Sequence, residues 1–142
     1  MRYLIIVGHT PRNYCAHAPD VLGCVTTGRN FKETVRNMHE ALEGHFEVMA
    51  EYGETIPEPT AWVIDVQGYV VPMFKTVHGY HAEPPDLYEI EVVADTAERT
   101  ETLVREAVAA RLASHSPDNP APEPSAEVAY VDVDVPATAR RT

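Results

Sequence analysis

Three residues near the start of the chain, Cys15, His17 and Cys24, come closest in type and spacing to a reactive or metal-binding cluster. Cys15 and His17 share one face of an extended strand, and a hairpin would bring Cys24 opposite His17, so two thiols and an imidazole would face a zinc ion. The chain has no C-x-x-C pair and no evident fourth ligand. The pattern therefore favours half-buried strand residues, with no metal and no cofactor. The alternative is an enzyme that uses this face, and stoichiometric zinc in the purified protein would favour it.

The other histidines and aspartates do not form a catalytic pattern. His78 and His81 lie at a predicted loop-to-strand junction, which favours solvated polar surface. Asp20 and Asp86 each follow a proline in equivalent turns, where an aspartate ordinarily accepts hydrogen bonds from nearby backbone N–H groups. The sequence has no glycine-rich phosphate loop, no G-x-S-x-G and no H-E-x-x-H. We therefore expect a protein that is not an enzyme.

A row of glutamates marks one face of a predicted helix. Like charges four residues apart slightly destabilise a helix, so a row that only Arg36 interrupts points to an electropositive partner, whose association it would speed. A plain solvated face is the alternative, because exposed charge is the default on outer helix surfaces. Our hypothesis is that this acidic row binds a basic partner. It consists of Glu33, Glu40, Glu43, Glu47 and Glu51.

The helix that carries the acidic row is the clearest element in the sequence. Asn30 is a suitable N-cap with Glu33 three residues later, and Gly53 supplies the stop. The apolar residues opposite the row recur at the spacing of one helical face: Phe31, Val35, Met38, Leu42, Phe46 and Met49.

Short strands are predicted on either side of this helix. Residues 3–7 form a β-branched run typical of a strand buried on both faces, and residues 14–18 and 24–27 read as a hairpin with the loop 19–23. Residues 61–66 return to strand character, and Gln67-Gly68 would turn them back onto the next strand. Pro72 lies inside that next strand and predicts an edge position or a bulge.

The pattern begins again at Gly68. A helix in the same phase follows, and Pro-Glu-Pro recurs after deletion of one residue. We therefore predict an α+β protein of two tandem β-β-β-α-β units, 1–67 and 68–136, with a flexible tail at 137–142. Each unit would pack its helix on an antiparallel sheet, and the two would pack about a pseudo-two-fold axis, since one such unit alone buries little surface. A shift of 66 residues lays Tyr3 on Tyr69, Thr10 on Thr76, Tyr14 on Tyr80, Ala16 on Ala82 and Pro19-Asp20 on Pro85-Asp86.

Composition narrows the class of protein. Twenty-two acidic residues against eleven basic ones give the 142-residue chain a net charge of -11, which disfavours unspecific binding to nucleic acids and to anionic membranes. Apolar residues make up 44% of the chain, enough to bury a core. Two cysteines fit a reducing compartment, and no stretch near the start resembles a signal peptide or a membrane span, so we expect a cytoplasmic protein.

The first repeat resembles the HicB family, the antitoxin half of the HicA/HicB toxin-antitoxin systems. The resemblance covers roughly 60 residues: 1–7 (MRYLIIV), 14–20 (YCAHAPD), 23–28 (GCVTTG), the helix with Glu33 to Glu43, and 53–59 (GETIPEP). It implies a small α+β fold, often described as a partial ribonuclease H fold, and a non-enzymatic inhibitor that masks a small basic RNA-cleaving toxin, usually as an oligomer.

Two departures from the family qualify this expectation. The second repeat has Asp86-Leu-Tyr-Glu-Ile90 where the first has Asp20-Val-Leu-Gly-Cys24, so the Gly-Cys signature is lost. Many relatives also append a DNA-binding helix pair, and the tail here is too short for one, so direct DNA binding is not expected. We therefore expect an antitoxin that neutralises a HicA-like toxin and self-associates. The alternative is a stand-alone interaction or regulatory module without a toxin partner.

Overall fold

A computed structural model describes residues 1–136 and the backbone of residues 140 and 141. Its helices are α1 (Phe31–Glu51) and α2 (Ala97–Ala113). Its strands are β1 (Arg2–His9), β2 (Tyr14–Ala18), β3 (Val21–Gly28), β4 (Thr55–Ile56), β5 (Trp62–Val66), β6 (Tyr69–Thr76), β7 (Gly79–Ala82), β8 (Val92–Ala94), β9 (Glu127–Asp132) and β10 (Arg140–Arg141).

The chain divides into two compact units. The first contains Met1–Thr60 and the chain from Glu127 onward, and the second contains Ala61–Ala126. These boundaries differ from the predicted ones, 1–67 and 68–136, by one strand at each end. The reason is strand pairing: β5 pairs with β6, and β9 pairs with β1.

In the first unit, an antiparallel sheet in the order β3-β2-β1-β9 supports α1. The helix begins where the Asn30 side chain accepts a hydrogen bond from the Glu33 N–H at 2.8 Å, and the chain leaves it through Gly53 at φ +67°. Both ends are as predicted. The core between helix and sheet consists mainly of Tyr3, Ile5, Val7, Ala16, Ala18, Val21, Met38, Leu42, Phe46 and Ile56.

Gly28 allows β3 to pass directly under the start of α1. A Cβ at this position would lie 2.3 Å from the Thr34 hydroxyl oxygen and 2.8 Å from the Thr34 backbone nitrogen, too close for any side chain. Thr34 is buried there, and its hydroxyl donates to the Asn30 carbonyl at 2.7 Å. The glycine therefore fixes how closely the helix approaches the end of the strand.

The second unit has its own antiparallel sheet, in the order β5-β6-β7-β8, with α2 packed on it. The order is that of the first sheet: β6, β7 and β8 correspond to β1, β2 and β3, and β5 corresponds to β9. Thr96 caps α2 by accepting a hydrogen bond from the Arg99 N–H at 3.1 Å. Buried Thr100 repeats the contact of Thr34, since its hydroxyl donates to the Thr96 carbonyl at 2.9 Å. The core of this unit consists of Val66, Tyr69, Val71, Met73, Ala82, Leu87, Val104 and Val108.

Long-range hydrogen bonds also recur at the repeat spacing. The Tyr3 hydroxyl donates to the Pro57 carbonyl, and the Tyr69 hydroxyl donates to the Pro122 carbonyl. The pairing of β5 with β6 and of β9 with β1 recurs as well: Val66 pairs with Tyr69, and Val131 pairs with Tyr3. The two units therefore share their strand order and their register.

The predicted α+β class, with helices packed on antiparallel sheets, is confirmed. The hairpin at Gln67-Gly68 is also confirmed: φ is +52° and +91° at these residues, the positive values that a two-residue type I′ turn needs. Residues 3–7 are each at most 2% exposed, as expected for a strand buried on both faces.

Two local predictions about the strands are wrong. The loop 19–23 is shorter than predicted, because β3 already begins at Val21. Pro72 lies in β6, which is an interior strand of its sheet and not an edge. Its carbonyl accepts from the Glu83 N–H at 3.4 Å, just past the last residue of β7. Pro72 therefore lies at the end of the β6–β7 ladder, where the lack of a backbone N–H is tolerated even in an interior strand.

A short parallel pair completes the first unit, with Thr55 opposite Arg140 and Ile56 opposite Arg141. The predicted flexible tail, 137–142, therefore includes two residues in a strand, and residues 137–139 and 142 lie outside the described residues. Neither α1 nor α2, the helices of the described part, is long and apolar enough to cross a membrane.

Candidate partner-binding site

The acidic row lies on α1, on the side away from the core, but its members differ in their surroundings. Glu40, Glu47 and Glu51 are exposed, whereas Glu33 and Glu43 are half-buried. The row is therefore a continuous charged face only in its central and C-terminal parts. Buried Met38, Leu42 and Phe46 on the opposite side fix its orientation.

Glu33 belongs to the start of the helix. Its carboxylate accepts hydrogen bonds from the Arg29 backbone N–H at 2.9 Å and from the Arg29 side chain at 3.0 Å. The side-chain hydrogen bond from Arg29 is the main reason why the pKa of Glu33 is lowered, and the backbone N–H adds to it. The arrangement stabilises the first turn of α1, so Glu33 has a local structural role.

Glu43 takes part in a second local contact. Its carboxylate lies 3.0 Å from Nδ1 of His39, and Nε2 of His39 lies 2.8 Å from the Asp132 carbonyl oxygen in β9. His39 thus links α1 to a strand that enters the unit from the far end of the chain. Glu40, Glu47 and Glu51 remain as the outward-facing part of the row.

A groove between β3 and α1 adjoins these glutamates and was not predicted. It has a volume of about 340 Å³ and is lined by Gly23, Cys24, Val25, Glu40, Ala41, Gly44, His45 and Val48. Val25 and Val48 are 68% and 52% exposed. The sequence signal was present but weak: Gly44 and Val48 interrupt the polar side of the helix with an absent and an apolar side chain.

The predicted cysteine and histidine cluster does not assemble. His17 pairs with Val25, and the register shift after His17 leaves Cys24 within a bulge that contains Gly23 at φ +83°. Cys24 is 4% exposed and belongs to the helix-side core, whereas Cys15 and His17 lie on the other sheet face. The prediction that Cys24 lies opposite His17 is therefore wrong, because the bulge turns its side chain inward.

The environments of these groups also differ. Burial raises the pKa of Cys24 and lowers the pKa of His17, which favours the neutral thiol and the neutral imidazole. Cys15, His17, Val25 and Thr27 line a shallow hollow of about 580 Å³ on the sheet face away from α1. Among the described residues, no three histidine, cysteine or acidic side chains are grouped so as to hold a metal ion.

In the second unit, His81 makes local contacts. Its Nε2 lies 2.6 Å from the Thr76 hydroxyl oxygen, and its ring stacks on Phe74 with centroids 4.9 Å apart. The backbone N–H of His78 donates to the same Thr76 hydroxyl at 3.1 Å. Burial is the main cause that raises the pKa of Glu83, and the charge of Glu91 adds to it.

Comparison with known proteins identifies the family. The family model described as HicB-like antitoxin of bacterial toxin-antitoxin system matches residues 3–69. UPF0150 protein Ta0767 of Thermoplasma acidophilum is 31% identical over 67 residues, which are 46% of this chain and 97% of the relative. The chain belongs to the HicB-like antitoxin family.

A solved structure titled "HicA3 and HicB3 toxin-antitoxin complex" contains a chain that is 30% identical and matches 42% of this HicB-like chain and 69% of its own length, with a TM-score of 0.39. The HicB-like match to residues 3–69 contains all of β5. One strand of the matched segment therefore lies in the sheet of the second unit.

Proposed function

We propose that this protein is an antitoxin that binds and neutralises a small basic HicA-like RNA-cleaving toxin, and that it acts by binding, not by catalysis. The observation that carries the proposal is the family match over residues 3–69, which contains α1 and therefore the whole acidic row. A bound partner that covers its own RNA-binding surface loses access to RNA, so steric exclusion is enough to inhibit it.

Charge supports a basic partner. The chain carries a net charge of -11, and Glu40, Glu47 and Glu51 are exposed on one side of α1. Such a field raises the rate of encounter with a positively charged protein and lowers it for nucleic acids and for acidic proteins. We infer that the acidic row serves association, and that Glu33 and Glu43 contribute mainly to the local structure of α1.

The experiment is capture of proteins from the native cell on the immobilised full-length chain, at about 0.05 M and about 1 M salt, which span long and short screening lengths. We expect a small basic HicA-like protein, retained more strongly at low salt. An equimolar amount of the full-length chain should then suppress RNA cleavage by that protein. A HicA-like toxin from the same cell that neither binds nor is inhibited would contradict the proposal.

A second candidate is a stand-alone interaction or regulatory module that shares the fold but has no toxin. The observation in its favour is that the family match ends at Tyr69 and leaves α2 and β7 to β9 outside it. The same capture separates the candidates, since this module would retain a partner unrelated to HicA.

A further inference from the structure

The groove between β3 and α1 lies at an open edge of the first sheet. β3 is the last strand in the order β3-β2-β1-β9, so no strand of the described residues lies along its outer side. At Thr27 this side is occupied, because the Asn37 side-chain amide donates to the Thr27 carbonyl at 2.9 Å. The groove opens at the other end of β3, around Gly23 and Val25.

Gly44 leaves the helix wall of this groove open. It lies inside α1, where glycine costs about 1 kcal/mol of helix stability relative to alanine. A Cβ added at Gly44 would meet no atom within 4 Å, so packing of this chain does not require a glycine here. The missing side chain therefore has one visible effect, which is free space beside Ala41 and Val48.

Exposed apolar side chains border that space. Val48 on the helix lines the groove and is more than half exposed. Val25 borders the groove from β3, and its side chain lies on the sheet face away from α1, with that of its pairing partner His17. An apolar side chain of a partner that entered the groove would bury Val48 and gain about 25 cal/mol per Å² of apolar surface removed from water.

Charge selects the partner. Glu40 lines the groove, and Glu47 and Glu51 follow it along α1. A second copy of this acidic chain that docked on the groove through the same face would bring two rows of glutamates together, which is unfavourable. A basic partner would place lysine or arginine side chains against the same glutamates.

We propose that this groove is the docking site for the basic toxin, which inserts an apolar side chain against Val48 and over Gly44, beside β3 at Gly23, and sets basic side chains against Glu40 and Glu47. The inference rests on the proposed function and adds the location of the contact. The apolar insertion supplies slow dissociation, and the glutamates supply fast association.

The test uses the full-length chain and the HicA-like toxin identified by capture, purified and titrated against each variant. Gly44→Leu fills the groove, and Ala110→Leu is the matched control, because Ala110 is the exposed residue 66 positions later in α2. We expect Gly44→Leu to keep or raise the thermal midpoint and to weaken toxin binding by at least about tenfold. Ala110→Leu should bind like the wild type.

Val48→Arg is a second variant that places a like charge against a basic partner at an exposed position, where the fold tolerates it. It should weaken binding by a similar factor. If the wild type binds the toxin and the folded Gly44→Leu and Val48→Arg variants bind it equally well, that result would overturn the groove as the docking site and leave the proposed function intact. Failure of the wild type to bind the toxin would reject both. A change in self-association without a change in toxin binding would assign the groove to a second copy and also overturn the inference.

Discussion

At the scale of single residues, two aspartates hold the segments that lead into β5 and β9. The carboxylate of Asp20 accepts from the backbone N–H and the hydroxyl of Thr60, 40 positions away, at 2.9 and 3.1 Å. The carboxylate of Asp86 accepts from the N–H and hydroxyl of Ser125 at 2.9 and 2.8 Å, and from the Ala126 N–H at 2.9 Å. The sequence predicted local backbone partners; the actual partners are distant, and the role is structural.

Replacing Asp86 by alanine should therefore destabilise the protein. Three donors lose a charged acceptor, and a hydrogen bond to a charged group contributes about 1.5–3 kcal/mol net; water can take the place of the carboxylate at the exposed donors of Ser125. We expect the free energy of unfolding, measured by urea denaturation, to fall by about 1–3 kcal/mol overall. Asp118→Ala, at an exposed loop position, is the control and should have little effect. Equal unfolding midpoints for the two variants would contradict this role.

His17 gives the stability a predictable dependence on pH. Burial by the surrounding strands lowers the pKa of His17 in the folded chain, although part of its surface remains exposed. The unfolded chain, with a histidine pKa of about 6.5, then binds more protons between the two pKa values, so the free energy of unfolding falls as the pH drops through this window. Below the pKa of His17 in the folded chain, this residue causes no further fall in the free energy of unfolding.

We expect His17→Gln to flatten this dependence, with urea midpoints that change less than those of the wild type between about pH 7.5 and pH 5.5. His78→Gln is the matched control, since His78 is exposed in a turn of the second unit and should keep the wild-type slope. A His17→Gln protein that loses as much stability on acidification as the wild type would show that another group controls it.

At the scale of elements, α1 has two functions on two faces. Its apolar face anchors the first unit through Met38, Leu42 and Phe46, and its outer face carries Glu40, Glu47 and Glu51. Glu33 and Glu43 are held by Arg29 and His39, so reversing their charge would disturb the helix as well as the field. The three exposed glutamates are therefore the residues with which to test association.

Replacing these three glutamates by lysine should slow toxin association at least about tenfold at low salt, because the attractive field near the docking surface is reversed. The difference should shrink at about 1 M salt, where the screening length is near 3 Å. Stopped-flow association rates measure both effects. The matched control changes the net charge equally at exposed positions of the second unit: Glu98→Lys, Glu106→Lys and Asp118→Lys. Equal slowing in both triple variants would mean that the net charge of the chain, and not the position of the acidic row, controls the association rate.

The sequence predicted those elements that local rules control. Both ends of α1 follow from Asn30 and Gly53, and the β5–β6 hairpin follows from Gln67-Gly68, because capping and turn geometry depend on neighbouring residues. The bulge that turns Cys24 into the core depends on the pairing of β3 with β2, which the alternation of side chains does not reveal. The groove depends on an absent side chain at Gly44 beside an edge strand, and no motif marks such a space.

At the scale of the whole molecule, the predicted units 1–67 and 68–136 keep β5 in the first unit and β9 in the second. β5 and β9 are the corresponding strands of the two predicted repeats, and their similar apolar pattern fits either sheet. The structure pairs each one with the first strand of the other repeat, in the same register. Tandem duplication stays a prediction from the sequence, and the matching registers support it. Each compact unit consequently contains residues from both repeats.

The two fragments of a chain cut between the predicted repeats should therefore stay associated. A protease site inserted between Gln67 and Gly68 would yield fragments 1–67 and 68–142 after cleavage. The first fragment carries β5, which makes five residue pairs with β6, and the second carries β9, which makes six with β1. Val131 of β9 is buried in the core of the first unit, and Val66 of β5 is buried in the core of the second. Separation of the fragments would therefore expose both cores to water. We expect the cleaved protein to elute from a sizing column as one species with the volume of the intact chain, and to separate only in denaturant. Two folded fragments that elute apart without denaturant would show that each repeat keeps its own last strand.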